Sequence, residues 1–245
     1  MPRIYLPLPE PSEKIQIVGE KARYLSTVLR CREGEALEIF DGKGNTFITK
    51  ILSVGTQKII AAVTEIVRSA PESPLKIILI QGLLKGQKMD LVIQKTTELG
   101  VSEVFPVITE RSQLSRTRKT SRWRKIAEDA TRQSGRISIP EIHEVTPFPA
   151  LLSDDAICNP NLRGRKGIIF WEEGGISPHK TQAMVKGCTS VILAIGPEGG
   201  FARKEVQDAE AKGFLVASLG KRILRAETAA IIATALIQFV LGGLD

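Results

Sequence analysis

Over residues 1 to about 68, apolar positions come in short runs or alternate with polar ones. These are Arg3 to Leu6, Ile15 to Val18, Ala36 to Phe40, Thr46 to Leu52 and Ile59 to Val67. Such runs predict half-buried strands, because alternate side chains of a strand face opposite sides. Asp41 to Asn45 separates two of them as a turn, since Asp, Asn and Gly tolerate positive φ. Glu20 to Arg30 instead places Ala22, Leu25, Val28 and Leu29 at helical spacing and predicts a helix. Five strands and one helix predict a small β-barrel. Ser69 to Pro74 then breaks regular structure twice with proline and predicts a linker.

From Leu75 the pattern becomes strands alternating with helices. Lys76 to Gln81, Glu103 to Ile108, Ile168 to Trp171, Val191 to Ile195 and Leu215 to Leu219 are nearly all apolar, as strands buried on both faces of a parallel sheet are. Gln87 to Leu99, Ser121 to Ser134, Arg203 to Lys212 and Thr228 to Val240 read as helices, with Gly100 placed to cap the first. The apolar segment Ala229 to Leu241 is too short to span a bilayer and predicts a buried helix. The expected division is a β-rich domain over 1–70 and an α/β domain with a mainly parallel sheet over 71–245.

Composition adds little: 245 residues with 42% hydrophobic and 25% charged positions are ordinary for a globular chain. Pro2, Arg3, Pro7, Pro9 and Glu10 interrupt any apolar run at the start, so no signal peptide is expected and the expected compartment is the cytoplasm. Cys31, Cys158 and Cys188 are scattered, and only His143 and His179 accompany them, so neither a disulfide framework nor a metal site is expected. Charge changes the picture more. Between Arg111 and Arg136 stand nine Lys or Arg against two acids, so this segment carries the whole formal net charge of +7. A concentrated basic block is the footprint of a polyanion, RNA or DNA first; a solvated helix face is the competing account. Trp123 within the block has the size to stack on a base, but it keeps helical spacing with Ile126 and Ala130, and core is the expectation.

The chemistry is concentrated where two apolar strands end in glycine, at Ile195-Gly196 and Leu219-Gly220. Ligands of open α/β sheets sit in the crevice at such strand ends. The turn Gly196 to Gly200 lets backbone N–H groups approach a ligand, yet its spacing is neither a dinucleotide fingerprint nor a phosphate loop. The second loop, Leu219 to Ala229, places Arg222, Arg225, Glu227 and Thr228 at the mouth of an apolar helix, as caps or as an anion site. Ile223 and Leu224 in the same loop need a pocket or a ligand to cover them.

Taken in order, Lys85 to Asp90, Ile93 to Val101, Pro106 to Ser112, Arg132 to Arg136, Ile195 to Phe201 and Leu219 to Ala229 resemble the motifs of the RsmE family of ribosomal RNA methyltransferases. Val28 to Arg30 and Glu38 to Gly42 fit at the front, so the resemblance covers nearly the whole chain. The chain departs from the family pattern at Arg23-Tyr24, where a histidine is common, and at Arg132, where an acid is common.

The resemblance implies a SPOUT-type α/β fold with a trefoil knot around residues 168–230, a PUA-like, RNA-binding N-terminal β-barrel, and a homodimer. It implies methyl transfer from S-adenosyl-L-methionine to N3 of one uridine in small-subunit ribosomal RNA, free or within the small ribosomal subunit. The alternative is a non-catalytic RNA-binding ribosome assembly factor. Carried over, the cofactor residues are Trp171 and Glu172, then Ile195, Gly196, Glu198, Gly199 and Gly200, then Leu219, Gly220, Ile223, Leu224, Arg225, Thr228 and Ala229. A branched side chain at Gly199 is expected to fill space the adenosine needs. Because uracil N3–H is a weak acid, the proton must be removed or the developing anion stabilised. Arg136 or Arg225 is expected to stabilise the anion, with Glu98, Glu198 and Glu227 as the possible bases. RNA contacts are expected from Arg3, Arg30, Arg111, Arg116, Arg118, Arg122, Arg132 and Arg136.

Overall fold

A computed structural model describes residues 1–8, 12–68, 73, 75–114, 117–160 and 162–241. The linker expected over Ser69 to Pro74 lies outside the described residues apart from Ser73, and so does Arg116. Internal packing groups Met1–Glu72 with Thr131–Ile139 as one unit, and Ser73–Ala130 with Pro140–Asp245 as another.

The first unit contains β1 (Arg3–Tyr5), β2 (Lys14–Val18), α1 (Glu20–Arg23), β3 (Ala36–Phe40), β4 (Asn45–Val54) and β5 (Lys58–Arg68). Its sheet runs β1-β3-β4-β5-β2, antiparallel except for the parallel pair β1–β3. Register shifts at Ile48/Thr49 and Ile51/Ser53 mark irregularities along β4, of the kind that bend and twist a strand. The strands form an open half-barrel with β1 and β2 at its edges. Ile15, Ile17, Leu37, Ile39, Phe47 and Ile59 fill it, and Ala22 and Leu25 close it from the helical segment.

That segment differs from the single helix expected over Glu20 to Arg30. After α1 the backbone widens to a π-turn over Tyr24–Val28, where Leu29 N–H donates to the Tyr24 carbonyl at 3.0 Å. The extra residue in the turn rotates Val28 and Leu29 out of the buried face, leaving both exposed. Arg30 then takes φ +53°, the one positive φ at a non-glycine among the described residues.

Two arginines expected to meet RNA are engaged inside this unit. The Arg3 guanidinium donates to the carbonyls of Thr131, Arg132 and Arg136 at 2.7–3.3 Å, pairs with Glu38 at 2.7 Å, and lies 4.3 Å from the centre of the Phe40 ring. It therefore caps helix-terminal carbonyls, a structural role that its expectation as an RNA contact did not include. Arg132 donates to the Tyr24 hydroxyl at 3.0 Å and sits over its ring. The two positions that depart from the family pattern are thus partners of each other.

The second unit contains β6 (Lys76–Gly82), α2 (Lys88–Glu98), β7 (Glu103–Ile108), α3 (Thr120–Ser134), β8 (Glu141–Ile142), β9 (Thr146–Pro147), α4 (Phe148–Ser153), β10 (Arg165–Phe170), α5 (Pro178–Val185), β11 (Ser190–Ile195), α6 (Arg203–Ala211), β12 (Leu215–Ala217) and α7 (Ala226–Val240), although the last turn of α3 groups with the first unit. Every strand pairing is parallel, in the order β12-β10-β11-β6-β7-β8, with β9 also on β7. Ile78, Ile80, Phe105, Ile169, Ile192 and Ala194 form its centre, consistent with burial on both faces. The short α4, α5, β8 and β9 have no counterpart in the pattern of apolar positions.

Helix ends follow their capping chemistry. Gly100, at φ +90°, ends α2 with its N–H on the Thr97 carbonyl, and the amide of Gln238 from α7 donates to the Leu99 carbonyl at 2.8 Å. Helix α7 buries Ala230, Ala233, Thr234 and Ile237 on one face but leaves Ile232, Leu236 and Phe239 exposed on another, so it is half-buried rather than buried as expected. Trp123 is core, 2% exposed, with its indole N–H on the Asp90 carboxylate at 3.1 Å.

At the start of β7, Glu103 meets Lys76 and His143, and His143 stacks on Phe105 with ring centres 3.8 Å apart. Burial raises the Glu103 pKa, but the hydrogen bonds and charges of Lys76 and His143 outweigh it and leave the carboxyl below its usual range. A depressed folded-state pKa contributes stability above the unfolded value that is lost as pH falls through the folded one. Glu103→Gln is therefore expected to flatten the fall in stability below about pH 4.5, read from denaturant melts across pH. Trp123→Ala is expected to cost about 3–5 kcal/mol in the same melts at neutral pH.

Candidate active site

Because β6, β10, β11 and β12 run parallel, their carboxyl ends lie along one edge of the sheet. A cavity of about 500 Å³ opens there. It is lined by Phe170 to Glu172, by Ile195 to Glu198 with Gly200, by Ser218 to Glu227 with Ala229, and by Lys88 from α2. Glycine is required where backbones meet. A Cβ on Gly82 would lie 2.5 Å from the Pro197 nitrogen, and one on Gly196 would lie 2.9 Å from the Gly200 carbonyl carbon. Gly200 itself takes φ +68° and donates its N–H to the Pro197 carbonyl at 2.9 Å, closing the turn. Gln81, fully buried at the end of β6, donates to the carbonyls of Gly82 at 3.0 Å and Gly196 at 3.3 Å.

The lining carries charge in a defined arrangement. Glu198 Oε1 accepts from the Lys88 ammonium at 3.0 Å and from the Lys85 N–H at 3.1 Å. Burial pushes the Glu198 carboxyl up, but these hydrogen bonds outweigh it and hold the group below the usual carboxylate range. Its other oxygen, Oε2, is buried and has no hydrogen-bond partner among the described residues. The same is true of Glu227 Oε2, on the first turn of α7 in a residue only 8% exposed, and of the Trp171 indole N–H. Buried polar atoms are nearly always paired, so three orphans lining one cavity mark it as a place for a polar ligand. At the rim, Arg111 donates to the Gly199 carbonyl at 3.2 Å, and Glu173 lies between Arg111 and Arg203 at 3.9 and 3.7 Å. Gly220 takes φ +114° with its N–H on the Ser218 hydroxyl, and Ile223 beyond it is 83% exposed.

Of the residues expected to hold a cofactor, all but Gly199 and Thr228 line this cavity. A Cβ on Gly199 would instead press on Arg111, 3.1 Å from its Cβ and 3.2 Å from its carbonyl oxygen. Close approach of Arg111 is thus a reason for glycine at this position besides the one expected. Thr228 is exposed on α7 outside the lining. Among the proposed bases, Glu98 pairs with Lys95 at 2.9 Å on the surface of α2 and does not line the cavity. Arg225 lines it, whereas Arg136 belongs to the first unit. Lys88 was not singled out by sequence, although it falls inside a matched motif.

The basic segment is partly neutralised. Arg122 pairs with Asp90 at 2.8 Å and Arg124 with Glu144 at 2.9 Å, while Arg30, Arg111 and Arg118 have exposed side chains. All three cysteines are free thiols, and burial pushes Cys158 up to about 12. Glu103, Glu141 and His143 bring potential ligand atoms within 4.8 Å of one another, with the Lys76 ammonium already on Glu103.

Residues 71–238 match the family described as an RNA methyltransferase domain, and residues 17–64 the RNA methyltransferase PUA domain. The ribosomal RNA small subunit methyltransferase E of Bacillus subtilis (strain 168) is 31% identical, over 94% of this chain and 91% of its own. A crystal structure of the Neisseria gonorrhoeae ribosomal RNA small subunit methyltransferase E bound to S-adenosyl methionine superposes with a TM-score of 0.88 at 31% identity, covering 98% of both chains. A Legionella pneumophila methyltransferase in complex with bound SAM gives 0.85 at 32% identity, covering 97% of this chain and 96% of that one. The fold class is accordingly the SPOUT-type α/β domain with its parallel sheet, together with a PUA-like half-barrel.

The backbone contacts at Gly82 and Gly196 predict the cost of adding one carbon. Gly82→Ala and Gly196→Ala are each expected to destabilise the protein by about 1–3 kcal/mol in denaturant melts. Gly86→Ala, where a Cβ meets nothing within 4 Å, is expected to cost less, through its positive φ alone.

Proposed function

The chain belongs to the family of ribosomal RNA small subunit methyltransferases E, and on that premise we propose that it transfers the methyl group of S-adenosylmethionine to N3 of a uridine in small-subunit ribosomal RNA. The observation that carries this reading is the glycine-lined cavity with its two orphaned carboxylate oxygens, Glu198 Oε2 and Glu227 Oε2. The residues present fit a cofactor of this kind. About 500 Å³ is in the range of small-molecule sites, and the unpartnered acceptors suit a ligand carrying positive charge. Ile195, Gly196, Gly200, Leu219 and Gly220 would hold it largely through backbone, with Trp171 and Leu224 as apolar walls. When bound, such a cofactor supplies an electrophilic methyl group.

The chain's own residues then divide the remaining work. Glu198 is held ionised by Lys88 and is already hydrogen-bonded, which makes it a poor proton acceptor. Glu227 lines the same cavity with a free oxygen and is assigned the proton of uracil N3–H. Arg225, the exposed residue preceding α7 in the cavity lining, is assigned the negative charge that develops on the uracil ring, because a guanidinium there can meet that charge with its N–H donors. Arg30, Arg111 and Arg118, exposed and basic, are assigned to RNA phosphates. No helix among the described residues is long and apolar enough to cross a membrane, and the proposed place of action is the cytoplasm.

The exposed stripe Ile232, Leu236 and Phe239 on α7 supports a homodimer, since apolar side chains at this spacing form one continuous face. Phe239, 73% exposed, is the probe: Phe239→Glu is expected to halve the mass measured by light scattering, and an unchanged mass counts against the dimer.

Activity is tested by incorporation of labelled methyl into small-subunit RNA and subunits from cells lacking the enzyme, with the product nucleoside identified by mass spectrometry. Arg225→Ala is expected to lower turnover on the order of 10²–10³-fold, and Glu227→Gln on the order of 10²–10⁴-fold. Near-normal turnover in either removes that assignment. RNA binding by a wild-type chain that takes up no S-adenosylmethionine would favour an assembly factor instead.

A further inference from the structure

Helix α2 contributes one side chain to the cavity, Lys88, which falls within the Lys85 to Asp90 motif. Lys88 and the Lys85 amide both donate to the same oxygen of Glu198, Oε1, at 3.0 and 3.1 Å. Two donors on one oxygen fix the carboxylate and leave Oε2 buried without any. A bare carboxylate oxygen shielded from water is costly unless a donor arrives. We propose that Lys88 is a positioning residue, which keeps Glu198 charged and oriented so that Oε2 is the acceptor for a positively charged donor of the cofactor. This deepens the methyltransferase reading and rests on it.

The charges around Glu198 set what happens without the ammonium. Glu172, Glu227 and Arg225 line the same cavity, Arg111 reaches the neighbouring Gly199 carbonyl, and Lys85 offers its amide while its side chain is exposed. In wild-type protein the hydrogen bonds from Lys88 and Lys85 overcome burial and hold Glu198 below its usual range, so it stays ionised through neutral and mildly acidic pH. Removing the ammonium takes away both its hydrogen bond and its charge and leaves burial, which raises a carboxyl pKa, opposed only by the Lys85 and Glu198 amides. Glu198 then takes up a proton as pH falls through the raised value, and Oε2 loses the charge that attracts the cofactor. A lysine that only braced the loop would give no such pH dependence.

The test is calorimetric titration of the full-length wild type, Lys88→Met and Lys88→Arg with S-adenosylmethionine, from about pH 8 to about pH 5.5, above the usual carboxylate range. Beside it runs an NMR titration of the Glu198 carboxyl in the cofactor-free proteins. Wild-type affinity is expected to stay within about twofold over this range. Lys88→Met is expected to bind on the order of tenfold more weakly and to lose about another tenfold as pH falls, with Lys88→Arg close to wild type. A folded Lys88→Met with wild-type affinity and pH profile overturns the proposal, as does Lys88→Arg as weak as Lys88→Met. If Lys88→Met does not fold, Glu198→Gln decides, being expected to bind weakly at every pH; wild-type affinity in that variant overturns the proposal. A wild-type chain that binds no S-adenosylmethionine defeats the methyltransferase reading. The Lys88 tie is still judged then by the Glu198 titration, where equal values with and without the lysine overturn it.

Discussion

The site depends on backbones meeting where two strands end. The carboxyl end of β6 and the turn after β11 touch at Gly82, Gly196 and Pro197 with no room for a Cβ, and Gln81 ties the same two segments through the Gly196 carbonyl. Only glycine permits that approach, and from it follow the tight turn to Gly200, the placement of Glu198 over the start of α2, and the wall opposite Leu219 to Arg225. The parallel sheet supplies the direction, because all of its strands deliver their carboxyl ends to one edge. The glycines supply the closeness that turns an edge into a cavity.

Much of this was legible in the residues themselves. Val191 to Ile195 is apolar throughout because β11 is buried on both faces, and the abrupt Gly196 marks where it must turn. Gly100 marks the end of α2 in the same way. What the pattern missed depends on partners distant in sequence. Nothing near Gly199 announces that its open side faces Arg111, and nothing near Arg3 announces three carbonyls more than a hundred residues away. The π-turn at Tyr24–Val28 defeats helical periodicity because one added residue changes which side chains share a face. Strands β8 and β9, of two residues each, are too short to carry any period.

Charge divides in a similar way. The block from Arg111 to Arg136 holds the whole net charge, yet Asp90 and Glu144 offset part of it. Inside the cavity, basic side chains serve acidic ones: Lys88 saturates half of Glu198 and leaves the other half open. An excess of positive charge over the chain thus coexists with a pocket that holds unmet carboxylate oxygens.

The grouping of Thr131–Ile139 with the first unit makes the architecture non-modular. The chain passes from one unit to the other three times, so no single cut separates them. A fragment beginning at Ser73 would strand Arg132 without Tyr24 and the end of α3 without the Arg3 guanidinium. A fragment ending at Glu72 would leave Arg3 half-buried beside Phe40 with its carbonyl acceptors gone. Neither half could be exchanged for a homologous piece, by recombination or by a designer, unless the nine residues from 131 to 139 travelled with the N-terminal part.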